Sequence, residues 1–312
     1  MPQKQEYENY LKFIDEALEL AKKIPRYFSK FSNHIYCNHQ KLAVYILMQK
    51  LKLTSRGIVA YLRSNTDARM HLGLFKVPVH TTIIRFYAKI KNIIGLLLDI
   101  RKADTVAVDA TGFELESKSF YYRNINKQLF PGFMRKTKNF MKLSIAVDAD
   151  KKEILTYKIR KSRAHDTRDF KYLLKDIKCS NVAADKGYDS RDLRKFVVKK
   201  LKARPHIPYR IFSSRPKRGK LIISAPDKKI YNKRPAVENI FFCLKRKYGA
   251  VLRNKSNATQ QVELISKLIT YNLDRKLNYL LLLIQGLHQR SHCRIFCSFT
   301  LNKTLSNYIR FR

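Results

Sequence analysis

The 312-residue sequence predicts an α/β protein, a mixed sheet flanked by helices, with an all-helical domain in front of it. Three observations carry that reading. Apolar residues recur at helical spacing up to residue 98. Three β-prone apolar runs follow within residues 105–159. Helix-like and strand-like stretches then alternate to residue 208.

In residues 1–98, Leu11, Ile14, Leu18 and Ala21 recur at helical spacing, as do Leu42, Tyr45, Ile46 and Gln49 leading into Leu53. Thr54 and Ser55 read as an N-cap for a short helix, Arg56–Arg63. After the break at Val77-Pro78, Thr81 or Thr82 is expected to cap a further helix carrying Ile83, Ile84, Phe86, Tyr87 and Ile90. Short helices, tight turns and the basic residues Arg85, Lys89 and Lys91 suit a helix-turn-helix-like unit, with Arg85 and Lys89 as DNA contacts. A small bundle with a solvated basic face is the plainer alternative.

The pattern changes at residue 104. The runs Thr105–Asp109, Met141–Val147 and Glu153–Ile159 predict consecutive antiparallel strands, the last two joined at Asp148–Lys151. Asp166–Ile177 reads as a helix with Phe170, Leu173, Leu174 and Ile177 on one face. Asn181–Asp185 reads as a strand, Arg191–Lys200 as a helix and Ala203–Pro208 as a strand. The segment between Ile211 and Lys229 is rich in Ser, Pro, Gly and Lys and fits either an ordered hairpin over the site or a connector. A clear helix runs from Pro235 to Leu252, with proline at a first-turn position. An apolar helix over Val262–Leu287 and a basic end close the chain. The expected domains are 1–98, 99–275 and a helical end with a basic tail, 276–312.

Lys and Arg number 65 against 24 Asp and Glu, a net charge of +41. That excess argues against an acidic solvating chain or a small-metabolite enzyme and favours a polyanionic partner, nucleic acid. With 45% hydrophobic and 12% aromatic residues the chain still buries a core. Five scattered cysteines (Cys37, Cys179, Cys243, Cys293, Cys297) read as free thiols in a reducing compartment. No signal-like apolar region opens the chain, and the apolar runs Asn92–Ile100 and Leu280–Ile284 fall short of the roughly 20 residues that span a bilayer. A cytoplasmic protein without a membrane partner is expected.

In so basic a chain the acids carry information. Asp109 ends the run TVAV and Asp185 ends NVAA, which sets both at the carboxyl ends of expected strands, where open α/β sheets place ligands. Singly, each is as well explained as a turn former. Glu238 lies on the Pro235 helix, bordering the apolar face Val237, Ile240, Phe241, Leu244 and Tyr248, on one stripe with Arg234 and Lys245. Such a Glu is expected to point across the sheet edge, or else to form an ordinary surface pair. Three converging carboxylates need a cation, and hard oxygen donors suit Mg²⁺ or Mn²⁺. Two such ions suit phosphodiester displacement. The spacings of His288, His292, Cys293 and Cys297 are poor for zinc, and no Gly-rich phosphate loop or Ser–His–Asp arrangement is visible.

Tyr231, Arg234, Glu238 and Lys245 fit Y-x2-R-x3-E-x6-K without a gap. This resembles the signature around the last acid of DDE transposases of prokaryotic insertion sequences, in the group numbered four and five. VAVDATGF around Asp109 and AADKGYDS around Asp185 are similar to that family's first and second acid motifs, and the resemblance spans roughly residues 40–275. The acids stand 76 and 53 residues apart, which suits the family's compact ribonuclease-H-like core. The resemblance implies that Asp109, Asp185 and Glu238 are catalytic and bind two Mg²⁺ or Mn²⁺ ions. It implies that Tyr231, Arg234 and Lys245 handle DNA phosphates. It further implies cleavage and strand transfer at terminal inverted repeats of double-stranded DNA, by a homodimer assembled on DNA in a prokaryotic, nucleoid-associated setting. Gly187 fits either close approach of backbone to DNA or a structural turn, and Asp166, after His165, reads as an N-cap. A metal-dependent nuclease of the same fold and a catalytically inactive DNA-binding relic are the rival readings.

Overall fold

The computed structural model describes residues 2–98, 100–115, 140–161, 164–209 and 227–279, with side chains from residue 8 onward. The chain divides into two compact units, residues 1–272 and 273–312. In the second unit only residues 273–279 are described, and they are helical.

Helices open the first unit: α1 (Pro2–Ala21), α2 (Asn38–Lys50), α3 (Ser55–Ser64), α4 (Thr66–His71) and α5 (His80–Ile90), followed by a 3-10 turn, Ile94–Leu98. Short side chains set their starts. The Thr54 hydroxyl accepts from the Gly57 amide at 3.0 Å, as the sequence predicts, and Asn65 accepts from Ala68 at 2.9 Å. The cap expected of Thr81 or Thr82 is corrected: α5 begins at His80, its N-cap is Val79, and no side chain caps it. Leu42, Tyr45, Ile46 and Leu47 of α2 are fully enclosed and pack with Ile58, Leu62, Ile83 and Tyr87 as the core of this segment. Burying each large side chain contributes roughly 1.5–3 kcal/mol.

The sheet comprises β1 (Thr105–Leu115), β2 (Phe140–Asp148), β3 (Glu153–Arg160), β4 (Asn181–Ala184), β5 (Arg204–His206) and the short β6 (Val251–Leu252). Its order is β3-β2-β1-β4-β5, with β6 alongside the far end of β1. The first three strands are antiparallel neighbours, while β4 and β6 run parallel to β1, and β5 runs parallel to β4. The β2–β3 turn closes on Asp148, whose carboxylate accepts from the Asp150 and Lys151 amides at 2.9 and 3.0 Å. Helices α6 (Thr167–Leu174) and α7 (Arg191–Lys199) bury Phe170, Leu173, Leu193 and Val197 against Val106, Val108, Val182 and Ala184 on one sheet face.

A short helix α8 (Lys228–Tyr231) precedes α9 (Pro235–Tyr248), and α10 is helical from residue 257 to the end of the first unit. The expected apolar face of α9, Val237 to Tyr248, is buried. The expected end at Leu252 is corrected: α9 stops at Tyr248 because Gly249 adopts φ +90°, and residues 251–252 turn back as β6. The turn is fixed from α10. Lys267 Nζ donates to the Gly249 and Val251 carbonyls at 2.9 Å, and Glu263 accepts from the Arg253 and Asn254 amides. The helical segment is tied to the same place, since Lys52 Nζ donates to the Arg246 carbonyl and Arg253 Nη1 to the Lys52 carbonyl, both at 2.9 Å. Among the described residues no helix is long and apolar enough to cross a membrane. Residues 210–226, the part of the expected Val262–Leu287 helix beyond residue 279, and His288, His292, Cys293 and Cys297 lie outside the described residues.

Candidate active site

The sheet register brings the first two acids together. Val108 of β1 pairs with Ala184, the last residue of β4, so Asp109 and Asp185 follow at neighbouring positions where the two strands part. Asp109 does not end its strand, as its apolar run predicts. β1 continues six residues further because β2 pairs with it as far as Glu114 and β6 meets its tip. The parallel pairing with β4, however, stops one residue before Asp109, and this opens the notch.

Asp109 is largely enclosed and its carboxylate accepts from the Ala110 amide at 2.8 Å. Burial pushes its acid above the ordinary carboxylate value. The Ala110 amide and Arg234 pull it back, and Asp185 and Asp166 push it up again. Asp185 is exposed, and its side chain accepts from the Gly187 amide at 3.3 Å, which makes Gly187 part of a tight turn, Lys186–Tyr188. Below that turn the Tyr188 ring is buried against Phe170, and its hydroxyl has no hydrogen-bond partner among the described residues. Burial raises this phenol far above its usual value, and Asp166, Asp109, Asp169 and Asp185 add to the effect.

Glu238 stands in the first turn of α9, and Arg234 immediately precedes that helix. The guanidinium joins the two acids: Nη2 donates to Glu238 Oε1 at 2.5 Å, and Nη1 lies 3.6 Å from Asp109 Oδ2. Partial burial works against the Arg234 charge, but Glu238, Tyr231 and Asp109 outweigh it and hold the group above its ordinary value. The Glu238 side chain is 53% exposed and paired with Arg234, so of the two expected placements it takes the surface pair at the border of the notch. Tyr231 ends α8, and the Arg234 amide donates to its carbonyl at 2.9 Å. Lys245, two turns along α9, donates to Thr111 Oγ1 at 2.7 Å, which places it over the same stretch of β1. Of the residues singled out in the sequence, Asp109, Asp185, Arg234, Glu238, Tyr231 and Lys245 therefore gather at one edge. Arg85 and Lys89 lie apart from it, exposed on α5.

The structure adds groups that the sequence reading passed over. Lys142 of β2 is nearly enclosed, donates to the Ala164 carbonyl and ion-pairs with Asp166. Asp166 holds the N-cap position of α6, as the sequence predicts, but its carboxylate serves Lys142 and makes no capping hydrogen bond. Ala110, Thr111, Gly112, Lys142 and Asp166 line a groove of about 290 Å³ beside Asp109. A lysine inside the apolar run MKLSIAV was the signal for Lys142. Deeper in the sheet, Asp169 is wholly buried and accepts from Ser144 Oγ at 2.9 Å and Arg160 Nε at 2.5 Å.

Among the described residues no group of three or more His, Cys, Asp or Glu is placed to hold a metal ion. The donor chemistry nonetheless fits a hard divalent cation. Asp109 and Asp185 present carboxylate oxygens whose mutual repulsion a cation relieves, and the nearest cation, Arg234, already bridges Asp109 to Glu238.

The comparisons with known proteins follow this geometry. No curated protein sequence matches the chain. Among solved structures it is similar to a piggyBac transposase, determined by cryo-EM as a synaptic complex with hairpin DNA. The TM-score is 0.46 at 9% identity, covering 86% of this chain and 72% of that one. The model of the transposase DDE domain matches residues 100–273, more than half of the chain, and takes in the whole sheet together with Asp109, Asp185 and Glu238. The chain belongs to the DDE transposase family and is a DNA-cleaving transposase enzyme.

Proposed function

We propose that this transposase binds the terminal inverted repeats of its own insertion sequence, hydrolyses phosphodiesters there and joins the freed 3′-OH to target DNA. The observation that carries the reading is the adjacency of Asp109 and Asp185 at the parting of β1 and β4, with Arg234 linking Asp109 to Glu238. The strand order β3-β2-β1-β4-β5 supports a ribonuclease-H-like core. The gapless Y-x2-R-x3-E-x6-K segment supports membership of the insertion-sequence group numbered four and five.

In this reading Asp109, Asp185 and Glu238 hold divalent metal, Mg²⁺ or Mn²⁺, as two ions. Bound there, the ions supply Lewis acidity to the attacking and leaving oxygens. The protein's own part is positional. Lys245, anchored on Thr111, Arg234 and Tyr231 hold the phosphates flanking the scissile bond. For Glu238 to join the two aspartates, Arg234 must exchange its carboxylate partners for a DNA phosphate. Residues 1–98 act as the DNA-binding domain, with Arg85 and Lys89 on the duplex backbone, and residues 99–275 as the catalytic domain. Two copies hold the two ends of the element.

The test is incubation of the full chain with DNA flanking its own gene and Mg²⁺, Mn²⁺, Ca²⁺ or chelator, beside Asp185→Asn. Metal-dependent nicking and joining at the repeat ends, lost in the variant, is the expected result. Nicking without joining replaces this reading with a nuclease, and salt-sensitive binding without cleavage under any metal replaces it with a DNA-binding relic.

A further inference from the structure

A second concave site lies in the helical segment, built from the loop after α1, from α2 and from α5. Lys41, Arg85 and Lys89 line a cavity of about 380 Å³ together with Phe28, Tyr36 and Phe86. No acid lines it, and none of the three cations forms an ion pair among the described residues. Burial lowers the Lys41 ammonium, and the neighbouring Lys89 charge adds to that, while Cys37 acts in the opposite sense. Three like charges held in one cleft without a counter-charge are costly unless an anion joins them. Lys41 also stands over the Phe86 ring at 5.5 Å, and Phe28 packs against Phe86 at 6.1 Å between centroids. The same loop leaves Phe31 and Ile35 86% and 63% exposed.

Charge alone would fit a duplex backbone gliding over the surface. The recess and its aromatic walls fit something else. Flat apolar rings next to phosphate-binding cations form the combination that holds unpaired bases, and the volume lies at the small end of ligand sites. We propose that this cavity takes one unpaired nucleotide next to the duplex whose backbone Arg85 and Lys89 hold, its phosphate on Lys41 and its base against Tyr36 and Phe28. The proposal rests on DNA being the substrate, but it adds a single-strand contact remote from Asp109 and independent of cleavage.

The experiment measures binding of the full chain to a fluorescent twelve-nucleotide single strand and to a duplex of the same length, by anisotropy over a salt series. Tyr36→Ala is expected to weaken single-strand binding about fivefold to a hundredfold, the range for one stacked base, with a much smaller effect on the duplex. Tyr36→Phe keeps the ring and should keep the affinity, and thermal unfolding of both variants identifies a fold defect. Lys41→Ala should reduce the single-strand salt slope by about 0.7, one phosphate contact. Thymidine monophosphate should compete better than inorganic phosphate. Unchanged single-strand binding in Tyr36→Ala, or an equal loss on strand and duplex, overturns the nucleotide site and leaves a backbone-phosphate contact. Loss of both Tyr36→Ala and Tyr36→Phe binding with folding intact also overturns it. Because nothing is cut in this assay, its outcome is separate from that of the cleavage test.

Discussion

Replacing Arg234 by alanine should tighten divalent-metal binding when DNA is absent. The guanidinium is a resident cation of the acid edge and competes with any metal for Asp109 and Glu238. Its arm to Glu238 is an i,i+4 pair with a half-exposed acid and contributes about 0.3–0.5 kcal/mol. The arm to Asp109 spans 3.6 Å between side chains only 18% and 22% exposed, and contributes up to about 1 kcal/mol. Together these give up to about 1.5 kcal/mol, which corresponds to as much as roughly a tenfold lower Kd for Mn²⁺. Isothermal titration of Mn²⁺ into the wild type, Arg234→Ala and Arg234→Ala/Asp109→Asn reads the difference at constant salt. The double variant should lose most of the gain, since its larger share comes through Asp109. Equal or weaker Mn²⁺ binding by Arg234→Ala refutes the competition argument.

Further predictions concern stability. Asp109 has a raised folded-state acid value, so its ionisation opposes folding: stability is fully present below the unfolded value near 3.8 and is lost as pH rises through the folded one. Asp109→Asn should therefore be more thermostable than wild type at pH 7, with the difference vanishing below about pH 3.8. A Tm that falls at pH 7 contradicts this. Asp169→Ala strands Arg160 and Ser144 in the sheet and should cost about 3–5 kcal/mol, nearer the lower figure because Arg160 is one-third exposed, seen as a lower urea midpoint. Gly249→Ala forces a side chain into φ +90° and should cost about 1–3 kcal/mol, whereas an alanine at exposed Lys247 should be nearly silent.

The sequence made local decisions legible and left the long-range ones hidden. Thr54 caps its own third residue, and the apolar stripe Val237–Tyr248 needs only one helix, so both could be read from neighbours. Asp109 and Asp185 were found because each follows a short buried run, and parallel pairing of those runs aligned them. The continuation of β1 through Thr111 and Gly112 was invisible, because that stretch lacks an apolar pattern and is held by partners far along the chain. Asp166 takes the N-cap position read from its neighbours, but the partner of its carboxylate, Lys142, is on another strand and was hidden for the same reason. Gly249 is different, since glycine after a basic last turn is a local stop signal that the reading to Leu252 ran through.

Helix α9 is a rod with two tenants. Glu238 near its start stands at the carboxylate notch, and Arg246 near its end receives the Lys52 hydrogen bond from the turn between α2 and α3. At 1.5 Å per residue those two positions lie about 12 Å apart along one stiff axis. The α2–α3 turn and the carboxylate notch therefore bear on opposite ends of one rigid element.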